Sequence, residues 1–297
     1  MAAGGPIRAR DLEPSLARRL RGLRLAVVGH VEWAQFARVP RMPRAGEIVH
    51  ATAGWEEPAG GGAVTAVQLA ALAGGATFFT ALGDDAVGHR AAEELGALGV
   101  EVRAAFRRRQ RQRRVFVHLD DRGERTITVL GDRMGPRRRD PLGWADLESF
   151  DAVYVTAGDA GSLRAARRAC VLVATARVMA TLREGGVALD ALVRSGWDAG
   201  ERYRAGDLDP PPGLVVATAH DRGGSWQMAG DRRGHYPAVA PPGPVVDTYG
   251  CGDVFAAGLT AGLAAGIDLD AALELGARCG AWCAAGAGPY GRGPVKS

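Results

Sequence analysis

The residues best suited to chemistry lie in one stretch, Val245 to Gly266, reading VVDTYGCGDVFAAGLTAGLAAG. Its order implies a short extended segment, a glycine turn and an apolar helix of small residues. Gly250 and Gly252 can take backbone angles that other residues resist, and they let a ligand approach the main chain closely. Asp253 stands where the turn enters the helix. The first amides of a helix lack internal partners, and the dipole there favours negative charge. The turn is therefore a candidate anion site. A carboxylate beside it could take a proton from a hydroxyl that is about to attack a phosphate. The same carboxylate could equally be a helix cap.

The composition narrows that chemistry. The chain has 297 residues, 47% hydrophobic and 24% charged, as expected of a soluble globular protein. No apolar run is long enough to span a bilayer, and the first 22 residues carry no secretory segment. They read as a variable extension ahead of a domain over 23–297. Cys170, Cys251, Cys279 and Cys283 show no metal-binding spacing, which suggests a reducing cytoplasm. The net charge of +4 is carried almost wholly by arginine: Lys296 is the one lysine, and asparagine is absent. A phosphate-binding P-loop and a protein-kinase site both need a lysine within the domain. Two large phosphoryl-transfer classes are excluded by that absence.

The elements that must position Asp253 follow from periodicity. Leu23 to Val28 is a buried strand without the glycine fingerprint of a dinucleotide site. Positions 38–58 read as an excursion with a short strand over Ile48 to Thr52. Gly60, Gly61 and Gly62 open a helix from Ala63 to Ala73. Ala76 to Leu82 is a strand, and Gly83-Asp84-Asp85 turns it into a helix from Ala86 to Leu98. The run FRRRQRQRR, 106–114, reads as a solvated edge or lid in preference to a nucleic-acid face. A hairpin follows, Val115 to Leu119 and Arg125 to Leu130, around Asp120-Asp121-Arg122-Gly123. From Ala152 the pattern alternates strand and helix through the strand at 214–218, which implies a mostly parallel sheet with helices on both faces. Ligands in such folds bind beyond the carboxyl ends of the strands. Asp198 and Glu201, Thr218 to Gly224, and Gly250 to Asp253 all fall there.

This order of motifs resembles the ribokinase-like (PfkB) family of carbohydrate and nucleoside kinases over about positions 23–290. Asp247-Thr248-Tyr249-Gly250-Cys251-Gly252-Asp253 is similar to the family's D-T-x-G-A-G-D. The resemblance implies a three-layer α/β fold with a small β-sheet lid, its elements near 31–58 and 103–130. It implies ATP-dependent transfer of the γ-phosphate to a hydroxyl of a sugar-like or nucleoside-like acceptor. Asp253 would be the base, and the Gly250, Cys251 and Gly252 amides the anion hole. Asp198 and Glu201 would organise Mg²⁺ through water, unless they only cap a helix. Thr218, His220, Gly223 and Cys283 would line the nucleotide, and Asp247 would lie beside a monovalent cation such as K⁺. Glu32, Gly60, Gly61, Gly62 and Thr65 would face the acceptor. Partners would be ATP and a small acceptor, with no nucleic acid or membrane, and the exposed lid edge could pair into a homodimer. Departures fall at Ala34, Gly62, Thr65 and His220, where the family has polar residues or glycine. They leave open a kinase fold kept as a binding or regulatory module.

Overall fold

The computed structural model describes residues 4–121, 125–230 and 232–294. Within the expected hairpin turn, Arg122 and Gly123 lie outside the described residues. The elements run α1 (Pro14–Leu20), β1 (Leu25–Val28), β2 (Glu32–Arg38), β3 (Ala53–Ala59), α2 (Gly61–Ala73), β4 (Ala76–Gly83) and α3 (Ala86–Ala97). They continue with β5 (Val100–Arg107), β6 (Arg114–Leu119), β7 (Arg125–Leu130), β8 (Ala152–Val155), α4 (Ala160–Ala166), β9 (Val171–Thr175) and α5 (Met179–Gly185). The last are β10 (Ala191–Ser195), β11 (Leu214–Thr218), β12 (Gly224–Met228), β13 (Arg233–Tyr236), α6 (Cys251–Ala264) and α7 (Leu269–Ala284).

Nine strands form the large sheet in the order β13-β12-β11-β10-β9-β8-β1-β4-β5. Its pairs are parallel from β5 to β11, and β12 and β13 finish it antiparallel. The side-chain period of two sends neighbours to opposite faces. Thus Phe78 joins the core beneath α2, α6 and α7, while Phe79 joins the core beneath α4 and α5. Three layers result, with apolar groups buried on both faces of the sheet. Helices α6 and α7 approach so closely that a Cβ on Gly258 would lie 2.8 Å from the Gly276 Cα.

A four-stranded sheet, β3-β2-β6-β7, forms the lid. Strands β2 and β6 run parallel, and β6 pairs antiparallel with β7 through Val117↔Ile127. The expected strand at 48–52 is not formed; the chain pairs five residues later, as β3, because Phe36 and Trp55 stack at 4.7 Å across that register. The expected lid segment from 103 begins in the large sheet, since β5 continues to Arg107 and pairs with β4. The arginine run is therefore divided. Arg107 ends a sheet strand, Arg108 to Arg111 are exposed, and Gln112 is buried, its amide joining Val31 to Gly83. Residues 4–22 also pack on the body: Ile7 and Leu20 are fully buried, and Gln68 exchanges two hydrogen bonds with the Ile7 backbone.

Candidate active site

Helix α6 begins at the carboxyl ends of the parallel strands. Its cap, Gly250, has φ 83°, the left-handed region where a side chain would be strained. A Cβ there would also come within 3.1 Å of Val64 and Pro289. The Gly250 and Gly252 amides have no acceptor among the described residues, and the Cys251 amide makes only a long 3.5 Å contact to the Thr248 carbonyl. A Cβ on Gly252 would meet open space. The three amides proposed for an anion are thus the ones the protein leaves uncommitted.

Asp253 sits in the first turn of α6, in the cleft between that turn and the start of α2. A Cβ on Gly61 would lie 2.8 Å from its Oδ1, so Gly61 is the floor against which the carboxylate rests. Burial lifts its pKa from 3.8 to about 6. Arg177 opposes that lift, while Glu201 and Glu32 add to it. Burial outweighs the helix dipole, which would favour the charged form. The result is a carboxylate largely ionised at neutral pH yet basic enough to accept a proton, as a general base requires.

Around it lie groups that sequence reasoning missed. His30, at the end of β1, is buried; burial first, then the charges of Arg133, Arg113 and Arg177, hold its pKa well below the ordinary value, so it is neutral. Arg177 follows β9 and its Nη2 lies 3.0 Å from Asp198 and 2.7 Å from Glu201. The signal was present, since a charged residue just past a parallel strand lies where ligands bind. Tyr249 is buried with its ring edge-on to Phe36 at 5.2 Å, tying the motif loop to the lid. Arg125 of β7 hydrogen-bonds to the Thr248 hydroxyl from the lid's far side.

Several expected contacts change. Thr65 is fully buried and its hydroxyl donates to the Asp253 carbonyl at 3.2 Å, so it fastens α6 to α2 and does not meet an acceptor. Gly62 is buried too; a Cβ there would lie 2.7 Å from the His30 carbonyl and 2.8 Å from the Phe78 ring. Cys283 is buried beneath the motif loop, its thiol donating to the Tyr249 carbonyl at 3.3 Å. Gly223 answers a packing need, because a Cβ would fall 2.1 Å from the Tyr236 carbonyl oxygen. Glu32 is held by Arg113 at 2.7 Å and packs against Gly60. Asp247 accepts from the Tyr249 amide at 2.8 Å and the Gly288 amide at 3.0 Å, clasping two loops together.

At the other side of the cleft, Thr218 ends β11, and His220 has φ 53°. That backbone explains why glycine is the expected residue at 220; histidine is among the few side chains that enter this region. Arg222 lies 4.5 Å from the exposed Trp197 ring. Asp198 accepts from the Gly200 amide at 2.8 Å, as a cap does, and Glu201 is buried and accepts from the Ser195 amide at 2.5 Å. No cluster of three metal-ligating side chains occurs among the described residues. Two oxygen ligands still suit Mg²⁺, which keeps waters and uses few carboxylates. Here it would share them with the Arg177 guanidinium.

The family of pfkB carbohydrate kinases matches residues 23–193 and 214–292. No curated protein matches the chain. Solved structures with the same fold include ribokinase from Thermotoga maritima, 19% identical at a TM-score of 0.72, covering 92% of this chain and 96% of that one. Adenosine kinase from Sinorhizobium meliloti is also 19% identical, with a TM-score of 0.71 and coverage of 90% and 95%. Ribokinase from Arabidopsis thaliana, complexed with ribose and ATP, is 18% identical at a TM-score of 0.67, with coverage of 88% and 92%. No helix among the described residues is long and apolar enough to cross a membrane.

Proposed function

The chain belongs to the pfkB carbohydrate kinase family and is a phosphotransferase acting on a hydroxyl, and we propose that Asp253 is its general base. The observation that carries this reading is the pairing of a half-buried carboxylate, shifted to about 6, with the uncommitted Gly250 and Gly252 amides at the start of the same helix. An acceptor hydroxyl placed above Gly61 would give its proton to Asp253. Its oxygen would attack the γ-phosphorus of ATP, and the bond from that phosphorus to the ADP oxygen would break. The amides of Gly250, Cys251 and Gly252 would meet the negative charge on the transferred group, where each fixed donor is worth roughly a hundredfold in rate. Neutral His30 would offer a dipole without a competing charge.

Thr218 and the exposed Trp197, His220 and Arg222 group would seat the nucleotide at the carboxyl ends of β10 and β11. Asp198 and Glu201 would hold Mg²⁺ through water, and that ion would neutralise phosphate charge. Arg177 would orient the two carboxylates before it arrives. Asp247 would supply one oxygen to a monovalent cation. The lid would close through the Arg125–Thr248 contact and exclude water from the reacting groups.

A screen of sugars, sugar acids, sugar phosphates and nucleosides with ATP and Mg²⁺ tests the reading. Turnover of one acceptor that falls at least a hundredfold in Asp253→Asn is the expected result. Turnover that survives that substitution would reject Asp253 as the base.

A further inference from the structure

A cavity of about 380 Å³ opens at the carboxyl end of β8 and is lined by Arg107, Arg133, Arg137 and Arg177; the charges of Arg133 and Arg177 and that of Asp253 act on one another. Four arginines converge there from three parts of the chain: the end of β5, the connection from β7 to β8, and the turn after β9. We propose that this cavity binds the anionic group, a carboxylate or a phosphate ester, of an acidic acceptor whose hydroxyl is presented to Asp253. The inference rests on the kinase reading and names its substrate class.

The charges around the cavity are unequally satisfied. Arg107 is neutralised by Asp140, which takes both its terminal nitrogens at 2.7 and 2.6 Å. Asp159 also lines the cavity, but its carboxylate accepts from the Ser162 amide at 2.7 Å and the Arg138 amide at 3.0 Å. Arg177 is drawn towards Asp198 and Glu201. The guanidinium groups of Arg133 and Arg137 have no hydrogen bond or ion pair among the described residues. Arg133 feels burial, then the like charge of Arg113; the carboxylates of Glu32 and Asp253 act on it from the other side. Its net shift is downward, which an incoming anion would relieve.

Position separates this cavity from the nucleotide. In the sheet order, β8 lies three strands from β11, where Thr218 stands, a distance of about 14 Å at ordinary strand spacing. By contrast β8 is the neighbour of β1, which delivers His30. The volume suits a monosaccharide-sized group. Ala34, Gly62 and Thr65, where the family has polar residues, are buried and offer no free side-chain polar atom for neutral hydroxyls, because two lack one and the third spends its hydroxyl on the Asp253 carbonyl. The arginines are the cationic groups placed to match an acceptor's anionic group.

Calorimetric titration of the full chain, without ATP, compares gluconate with glucose and ribose 5-phosphate with ribose. At least one anion should bind about tenfold or more tighter than its neutral twin, the scale of one charge-assisted hydrogen bond. Arg133→Gln, at a cavity-lining side chain without an ion pair among the described residues, should abolish that preference, while Arg109→Gln, exposed and outside the cavity, should keep it. Preference for gluconate alone assigns a carboxylate, and for ribose 5-phosphate alone a phosphate ester. No anion binding at 10 mM (roughly the weak limit of useful affinity), equal binding of the neutral twin, or an unchanged Arg133→Gln overturns the proposal. Turnover of neutral acceptors alongside any of those results would leave the kinase reading intact. Anion binding that depends on Arg133, without turnover of any acceptor, would do the reverse.

Discussion

Asp253→Asn should make the protein more stable at neutral pH, and the gain should disappear in acid. The Asp253 carboxyl is held at a pKa of about 6 against an ordinary 3.8, with burial the largest cause. A carboxyl raised in the folded state binds protons there more tightly than in the unfolded chain. Its ionisation therefore costs stability, fully above the folded pKa and not at all below the unfolded one. A shift of about two units corresponds to about 3 kcal/mol at pH 7.5 and to about a third of that near pH 4.5. Part of the side chain keeps solvent contact, so a realised gain of about 1–3 kcal/mol is expected. At about 2 °C per kcal/mol for a chain of this size, Tm should rise by about 2–6 °C. Thermal unfolding of both proteins between pH 4.5 and 7.5 measures it without an acceptor. An asparagine that packs badly would lower every value equally, so the decisive readout is how the difference changes with pH. A difference constant across that range would refute the argument that burial holds this carboxylate up.

Further outcomes follow from the same structure. The rate should fall about tenfold per pH unit below about pH 6, because the base must be unprotonated. In pH–rate profiles, Arg177→Gln should move that limb upward by removing the charge that lowers the Asp253 pKa, and Glu201→Gln should move it downward. Gly61→Ala should lower kcat tenfold or more in steady-state assays with circular dichroism unchanged, because its Cβ would lie 2.8 Å from Asp253 Oδ1, and small misplacements of a reacting group cost about a hundredfold. Gly258→Val should destabilise the chain by about 2–4 kcal/mol in urea unfolding, since α6 and α7 have no room for a side chain at that crossing.

Much of the candidate site's backbone was legible in the sequence because local rules govern it. A glycine turn entering a helix leaves the same amides uncommitted wherever it occurs, and Gly250, Cys251 and Gly252 behave accordingly. Strand and helix alternation implied the large sheet because period and length are local properties of the chain. Strands β2, β5, β12 and β13 were missed, since charged and polar residues such as Glu32, Gln35, Arg103, Gln227 and Arg233 break up the apolar pattern of these short segments. Position within a motif did not reveal direction. Thr65 and Cys283 stand at expected ligand positions, yet both face the packed core.

From the sequence alone, the motif from Asp247 to Asp253 implied phosphoryl transfer by its resemblance to the family pattern, and the absent P-loop lysine excluded two other classes; both can be read without coordinates. Only the tertiary structure decided what surrounds that motif. Arg133, Arg177 and His30 come from three separate connections, and no sequence spacing relates them. The sheet order sets β9, β8 and β1 side by side, which brings Arg177 near His30, and the β7–β8 connection carries Arg133 in where Gly135 packs on Gly158 after β8.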